Sequence, residues 1–177
     1  MSDTNLYTTT IPPMMKALSA LSKILDKAAA YAESKKTPKR SFEEALLNDR
    51  LIFDQFPFAV QVRIACDNGK GGGARLAEIE IPAFEDNEKT IEELKARIDK
   101  TLAFLKTIKP EQVIGKESIK VSLPYWDGKA LTGFEYATEY LMPNFYFHVV
   151  TAYSILRKSG VLLGKADYIG GLPLKDL

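Results

Sequence analysis

The chain has 177 residues, of which 46% are hydrophobic and 27% charged, and this predicts one globular domain spanning residues 1–177. Lysine and arginine number 24 and aspartate and glutamate 23, a formal net charge of +1 that argues against a nucleic-acid or anionic-membrane partner. One cysteine excludes an internal disulfide and a cysteine-rich zinc module, and one histidine excludes metal sites that need two or more histidines. Because we find neither a leader-like start nor an apolar run of 18 residues, we expect a cytoplasmic protein with no membrane partner.

The first element predicted along the chain is an amphipathic helix over residues 11–32. Its apolar residues recur at steps of three and four, which places them on one helical face. Thr10 is the expected N-cap, and Pro12 and Pro13 fit the first turn, where a missing N–H group costs little. This face predicts a helix packed against a core.

Two further helices are predicted before residue 80. Ser41 and Glu44 have the spacing of a capping box, so a short helix is expected over about 41–51. Pro57 is typical of an early helical position, and the apolar rhythm after it predicts a helix over 57–76.

The run 68–73 within that helix contains four glycines. We reject a phosphate-binding loop, because no strand precedes the run and the order GxxxxGK[ST] is absent. Each interior glycine costs a helix about 1 kcal/mol relative to alanine. The run therefore predicts either a broken helix or the close approach of a neighbouring helix, a partner subunit or a ligand, and a packed or frayed helix is the interpretation we favour.

A second capping box, Thr90 with Glu93, predicts a helix that ends near residue 108, before Pro110. Residues 118–123 then alternate between polar and apolar, and the following Asp-Gly pair is typical of a turn. A small β-hairpin over about 118–131 is therefore expected, as a flap over one end of a helical core.

The last predicted helix covers about residues 132–160 and opens with a third capping box, Thr132 with Glu135. It is apolar nearly all round, so we expect it to be the most buried helix. Pro143 lies in its interior and should kink it.

The order of these elements resembles an uncharacterised bacterial family, a domain of unknown function within the DinB/YfiT-like helical bundle superfamily. The runs that carry the resemblance are Asp54-Gln55-Phe56-Pro57 with Gln61-Val62, Ala83-Phe84-Glu85-Asp86, Lys100-Thr101-Leu102-Ala103-Phe104-Leu105, Pro143-Asn144-Phe145-Tyr146-Phe147-His148 and Leu156-Arg157-Lys158-Ser159-Gly160-Val161. The resemblance covers residues 7–170. It implies an all-α fold, a DinB-like four-helix bundle running up, down, down and up, with a small β-hairpin between helices 3 and 4, and a homodimer.

The resemblance also implies where chemistry would lie. Better-known members of the superfamily bind a divalent metal through three histidines, one on helix 2 and an HxxxH pair on helix 4, and some are thiol transferases. In this chain the pair falls at Asn144 and His148 and the helix 2 ligand near Gln61, so His148 is the only ligand of that type retained. Neutral amide oxygens bind zinc or nickel poorly beside imidazole. We therefore expect no cofactor and a lost metal site.

Three functions stay open, and with them the question of whether the protein is an enzyme. The first, which we favour, is the binding of a small molecule in a pocket framed by Gln61, Tyr140, Asn144 and His148 and capped by the hairpin. In it His148 either meets the ligand or is a core histidine bonded to Asn144, Gln61 or a tyrosine.

The second function is a metal-dependent hydrolase or transferase with an unusual ligand set, in which Asp54, Asp67 or Glu139 adds a carboxylate to His148 and a divalent metal is the cofactor. The third is a dimeric interaction protein without chemistry, whose surfaces are the small-residue stripe through Gly69 and Gly72 and the exposed hairpin.

Overall fold

The computed structural model describes residues 4–35 and 38–176, and the architecture of these residues is a helical bundle. The helices are α1 (Leu6–Glu33), α2 (Lys39–Asn48), α3 (Phe58–Ala77), α4 (Ile91–Thr107), α5 (Pro110–Val113), α6 (Gly133–Glu135), α7 (Met142–Lys158) and α8 (Lys165–Ile169). Two short antiparallel strands, β1 (Lys120–Val121) and β2 (Leu131–Thr132), pair with Lys120 opposite Thr132. Within the described ranges, every helix is too short or too polar to cross a membrane.

Four long elements form the bundle: α1, α3, α4, and a continuous helix that joins α6 to α7 through a π-helical turn, Tyr136–Leu141. In the bundle, α1 and α3 each pack against both α4 and α7. The directions of the helices follow from six residue pairs: Leu18 with Gly69, Ile11 with Gly73, Asp67 with Arg97, Ile108 with Gly73, Gln61 with His148, and Leu141 with Gly72. Since α3 is antiparallel to α1 and α7 and parallel to α4, the bundle runs up, down, down and up, as the resemblance implies.

Helix α1 begins five residues earlier than the apolar pattern predicts. Asn5 is its N-cap: the Asn5 side chain accepts from the Thr8 amide at 3.0 Å, and the Thr8 hydroxyl accepts from the Asn5 amide at 3.1 Å. The prediction that Thr10 caps the helix was wrong, because its hydroxyl lies inside the helix and donates to the Leu6 carbonyl. The sequence signal of the true cap lies before the apolar stripe starts.

Helix α2 also starts earlier, and the predicted capping box at Ser41 was wrong. Pro38 occupies the N-cap position and Lys39 begins the helix, so Ser41 lies within the first turn. The Glu44 side chain accepts from Arg40 at 3.0 Å instead of folding back onto the Ser41 backbone. The helix ends at Asn48, short of the expected residue 51.

Helix α3 is continuous through its glycines, which are buried against neighbouring helices. A Cβ atom on Gly73 would lie 2.8 Å from Ile108 Cδ1 and 2.9 Å from Leu105 Cδ2, and one on Gly72 would collide with Leu141. The missing side chains therefore permit close packing of α3 against α4 and α7. The interpretation of the run as a packed helix is therefore confirmed. The hypothesis that the stripe through Gly69 and Gly72 is a surface for a second subunit was wrong, because both glycines are interior.

The capping boxes at Thr90 and Thr132 are both confirmed. Ahead of Pro143, however, the expected kink takes the form of a π-turn, in which the Met142 amide bonds the Ala137 carbonyl five residues back. Proline has no N–H and its ring clashes with the carbonyl four residues earlier. Widening the preceding turn is a recurrent way for a helix to continue through such a site.

The predicted hairpin is present but has only two residues in each strand. A short 3₁₀ turn, Pro124–Trp126, fills the space between the strands, and Asp127 and Gly128 turn the chain with positive φ values of 48° and 77°. The Trp126 ring packs edge-on against Tyr136 and Tyr140, with centroids 6.3 and 5.2 Å apart. The hairpin thus closes one end of α7 with an aromatic contact.

Residues 78–90, which we call the strap, join α3 to α4 without a helix or strand. A buried arginine on α4 holds the strap: the Arg97 guanidinium, 2% exposed, bonds Glu88 at 2.9 Å, Asp86 at 2.9 Å and Asp67 of α3 at 2.8 Å. Arg63 of α3 bonds the other carboxylate oxygen of Glu88 at 2.6 Å. Two helices and the strap therefore meet in one charge network.

Candidate functional site

His148 on α7 and Gln61 on α3 form a buried polar pair between the two helices. The Nδ1 atom of His148 lies 2.7 Å from Oε1 of Gln61, and the two residues are 8% and 1% exposed. They meet because α3 and α7 are antiparallel neighbours, which brings the first turn of α3 beside the second turn of α7. The sequence prediction placed both residues at one site, and the structure brings them into direct contact.

The orientation of Gln61 determines which nitrogen of His148 carries the proton. The Gln61 Nε2 group donates to the Phe56 carbonyl at 2.9 Å, which leaves Oε1 as the acceptor facing the imidazole. His148 Nδ1–H is therefore the donor, and Nε2 keeps its lone pair in the neutral ring. Nε2 accepts no hydrogen bond from any residue within 4–35 and 38–176, and it is not among the fully buried unpaired atoms.

Burial lowers the pKa of His148 below its ordinary value of 6.5. The ring is therefore neutral at physiological pH, and it presents a hydrogen-bond acceptor at the edge of the bundle. A neutral imidazole with one fixed donor and one free acceptor suits ligand recognition or proton transfer.

Asn144 lies one turn before His148 and pairs with a residue that the sequence prediction did not include. Its Nδ2 group donates to Asn68 Oδ1 across a long 3.3 Å contact. The Nδ2 group of Asn68 is buried and has no partner among the residues that the structure describes. We name Gln61, Asn68, Asn144 and His148 the polar seam, because they lie in sequence along the contact of α3 and α7.

Tyr140 continues this row by one more turn but is engaged with the hairpin. Its hydroxyl lies 2.5 Å from the hydroxyl of Tyr125, and its ring stacks on Tyr136 with centroids 5.9 Å apart. Burial, together with the Tyr125 hydrogen bond, raises the pKa of Tyr140 to about 12. Tyr140 thus acts as a neutral phenol that holds the hairpin to α7.

The donors at the positions where the resemblance implies metal ligands do not suit a transition-metal ion. Gln61 Oε1 is taken by His148, and Asn144 contributes an amide. In the described ranges, no group of three or more histidine, cysteine, aspartate or glutamate side chains is placed to hold a metal. A single imidazole beside two amides is a weak donor set for zinc or nickel.

Five surface clefts of the described chain lie away from the polar seam. The first, about 650 Å³, lies between α2, the start of α3 and the end of the strap, and another of about 600 Å³ lies between α1 and the C-terminal residues. In the first cleft four of the charged side chains form ion pairs, Arg63 with Glu88 and Arg40 with Glu44. None of the five is lined by Gln61, Tyr140, Asn144 or His148.

Cys66 does not take part in the site. Its side chain is fully buried on α3, and burial raises the pKa of its thiol to about 12. Since the thiolate is the nucleophilic form, this thiol is unreactive in the folded protein. The sequence analysis did not assign it a catalytic role, and its burial agrees with that.

We expect NMR titration of the imidazole to give a folded-state pKa below 6.5 and the Nδ1–H tautomer. His148 is the single histidine, so its ring signals need no assignment. The unfolded chain binds the proton first as the pH falls through 6.5. The free energy of unfolding should therefore decrease as the pH falls from 6.5 to the folded pKa of His148. Gln61→Met should shift the tautomer towards Nε2–H, and a wild-type pKa at or above 6.5 would contradict this geometry.

The sequence and the fold were compared with known proteins. The family described as "Domain of unknown function (DUF1993)" matches residues 6–169. The crystal structure of a DinB family member protein from Shewanella denitrificans is 44% identical to this chain, covers 97% of it and 96% of its own chain, and superposes with a TM-score of 0.90. No curated protein matches significantly.

Proposed function

Because the chain belongs to the DUF1993 family of domains of unknown function and has the fold of a DinB family protein, we propose that it binds a small molecule at the polar seam without a metal. The observation that carries this proposal is the free acceptor Nε2 of His148. Gln61 and the Phe56 carbonyl hold the imidazole in the tautomer that keeps this lone pair available.

The chemistry of the seam indicates what the ligand must offer. His148 Nε2 is an acceptor, and Asn68 Nδ2, on α3 beside Asn144, is a buried donor without a partner in the described structure. A ligand that carries both a donor and an acceptor, such as a primary amide or a urea, would satisfy both atoms.

Entry of the ligand requires the Asn144 side chain to move. Its hydrogen bond to Asn68 is long, at 3.3 Å, and is the weakest contact in the seam. A ligand amide that replaces Asn144 would form two shorter bonds in its place. The side chains of the polar seam fill the space between α3 and α7, so the seam does not form an open cleft.

A melting-temperature screen of primary amides and ureas, run on wild type and His148→Ala, tests this proposal. We expect at least one compound to raise the wild-type melting temperature and to leave the variant unchanged. Ser154→Ala is the matched control, since Ser154 lies on a different face of α7 and should keep the response.

Three outcomes would count against the proposal. Equal shifts in wild type and His148→Ala, or no shift at all, would remove the seam as the binding site. Stoichiometric zinc, nickel or manganese in the purified wild type that is absent from His148→Ala would favour a metal-dependent hydrolase or transferase instead.

A further inference from the structure

The cleft of about 600 Å³ between α1 and the C-terminal residues is lined by none of the residues of the polar seam. Tyr146 of α7 and Tyr168 of α8 contribute aromatic rings to it, and Pro12 and Pro13 of α1 contribute rigid apolar rings. Its volume is within the range of small-molecule sites, about 300–1,000 Å³. We call it the tyrosine cleft.

The wall that carries Tyr168 is held against α1, so the tyrosine cleft is preformed. Helix α8 packs along α1, and its Asp167 forms an ion pair with Lys27 of α1 at 2.6 Å. Gly170 follows α8 with a positive φ of 68°, and a Cβ atom there would lie 3.5 Å from the Cβ atom of Ala20 on α1. A preformed site loses little conformational entropy when a ligand binds.

The two tyrosines supply neutral hydrogen-bonding groups to the cleft. Within residues 4–35 and 38–176, neither the Tyr146 hydroxyl nor the Tyr168 hydroxyl makes a hydrogen bond, and neither oxygen is enclosed. Burial raises the pKa of both phenols, and the nearby Tyr168 adds to the rise at Tyr146. Both groups therefore keep their O–H donors at physiological pH, and both are available to a ligand.

The charge of the cleft indicates an anionic ligand. Lys16 is the one charged side chain among the described residues that line the cleft, and its ammonium group forms no ion pair within the described chain. Its Cε atom lies 4.0 Å from the position that a Cβ atom would take on Gly170, so the lysine stem lies beside the C-terminal wall. A cation and two O–H donors that line one cleft suit a carboxylate, whose two oxygens accept several hydrogen bonds.

We propose that the tyrosine cleft binds an aromatic carboxylate, whose ring packs against the tyrosine and proline rings and whose oxygens accept hydrogen bonds from Lys16 and the two phenols. The site is separate from the polar seam, because Tyr146 lines a cleft beside α1 whereas His148 of the same helix contacts Gln61 of α3. The two sites also differ in ligand class, since the seam suits a neutral amide and the cleft an anion.

Isothermal titration calorimetry with 2-naphthoate, and with the neutral 2-naphthylmethanol beside it, tests this inference. We expect wild type to bind 2-naphthoate with a Kd below about 1 mM and to bind the alcohol at least about fivefold more weakly. Lys16→Gln and Tyr168→Phe should each raise the Kd for 2-naphthoate at least about fivefold, because each removes a hydrogen bond to the charged carboxylate. Lys23→Gln and Tyr153→Phe are the matched controls and should keep the wild-type Kd, since neither residue lines the cleft.

Three results would overturn the proposal: no binding of 2-naphthoate to wild type, equal affinities for the acid and the alcohol, or an unchanged Kd in both Lys16→Gln and Tyr168→Phe. His148→Ala should bind 2-naphthoate as wild type does, and a loss of binding in that variant would assign the ligand to the polar seam instead. The amide screen reports on the seam and this titration on the cleft, so either proposal can fail without the other.

Discussion

Replacing Arg97 by methionine should lower the free energy of unfolding by about 3–5 kcal/mol, a large share of the roughly 5–15 kcal/mol that a domain possesses. The side chain is 2% exposed and bonds carboxylates from α3 and from the strap. Removing it leaves Glu88 and Asp67 facing each other without their shared cation. Urea unfolding followed by circular dichroism, at one protein concentration, measures the loss.

Arg40→Met is the control for Arg97→Met. Arg40 pairs with Glu44 on the solvent side of α2, and exposed pairs of this kind contribute little. Arg97→Lys should fall between the two, since it keeps the charge but loses the forked geometry that reaches three carboxylates. A loss below about 1 kcal/mol for Arg97→Met would show that the network adds no net stability, as some buried ion pairs do not.

The pH dependence gives an independent test of the same network. Burial alone would raise the pKa of Glu88, but hydrogen bonds from Arg97 and Arg63 outweigh it and hold the pKa below the ordinary 4.5. Glu88 therefore stabilises the wild type fully above pH 4.5, and this contribution is lost as the pH falls through the folded pKa. In Arg97→Met the pKa of Glu88 should rise, so the stability gap between the two proteins should narrow on acidification.

Gly73→Ala should destabilise the protein by about 1–3 kcal/mol, although alanine is the better helix former by about 1 kcal/mol. The new methyl group would press on Ile108 and Leu105 at under 3 Å and on Ile11 at 3.2 Å, so side chains of two other elements must move. Thermal and urea unfolding of the variant measure the cost.

Gly71→Ala is the matched comparison, two residues away on the same helix. A Cβ atom there meets only the Arg75 side chain, whose flexible end can move aside. We expect Gly71→Ala to be neutral or to stabilise by up to about 1 kcal/mol. Equal effects of the two substitutions would show that close helix packing is not the reason for the glycine at position 73.

The long helices could be predicted from sequence because apolar residues recur at steps of three and four along the face that each helix buries. Helices α3 and α4 follow the predicted bounds within two residues, since the apolar stripe and the caps that delimit it coincide. The start of α1 was missed because Asn5 caps it ahead of the stripe. Pro12 and Pro13 lie inside the helix and not in its first turn, so a proline pair is no sure mark of a helix start.

The candidate site was predictable only in part, because its contacts join residues that are far apart in the sequence. Gln61 and His148 were placed together by the resemblance and by the register of two helices. Asn68 was missed because it stands beside the glycine run, and the Phe56 carbonyl has no side-chain signal. The Arg97 network depends on how the strap folds back, and charges brought together from three segments leave no local pattern.

The burial of Cys66 gives the protein a natural reporter of its own opening. Because its thiol is enclosed beside the Arg97 network, a thiol reagent can modify it only in molecules that have transiently unfolded around α3. The rate of labelling under native conditions therefore measures how often that part of the bundle opens, with no engineered label. One buried sulfur atom thus allows the stability of the bundle to be read at protein concentrations where optical unfolding curves are impractical.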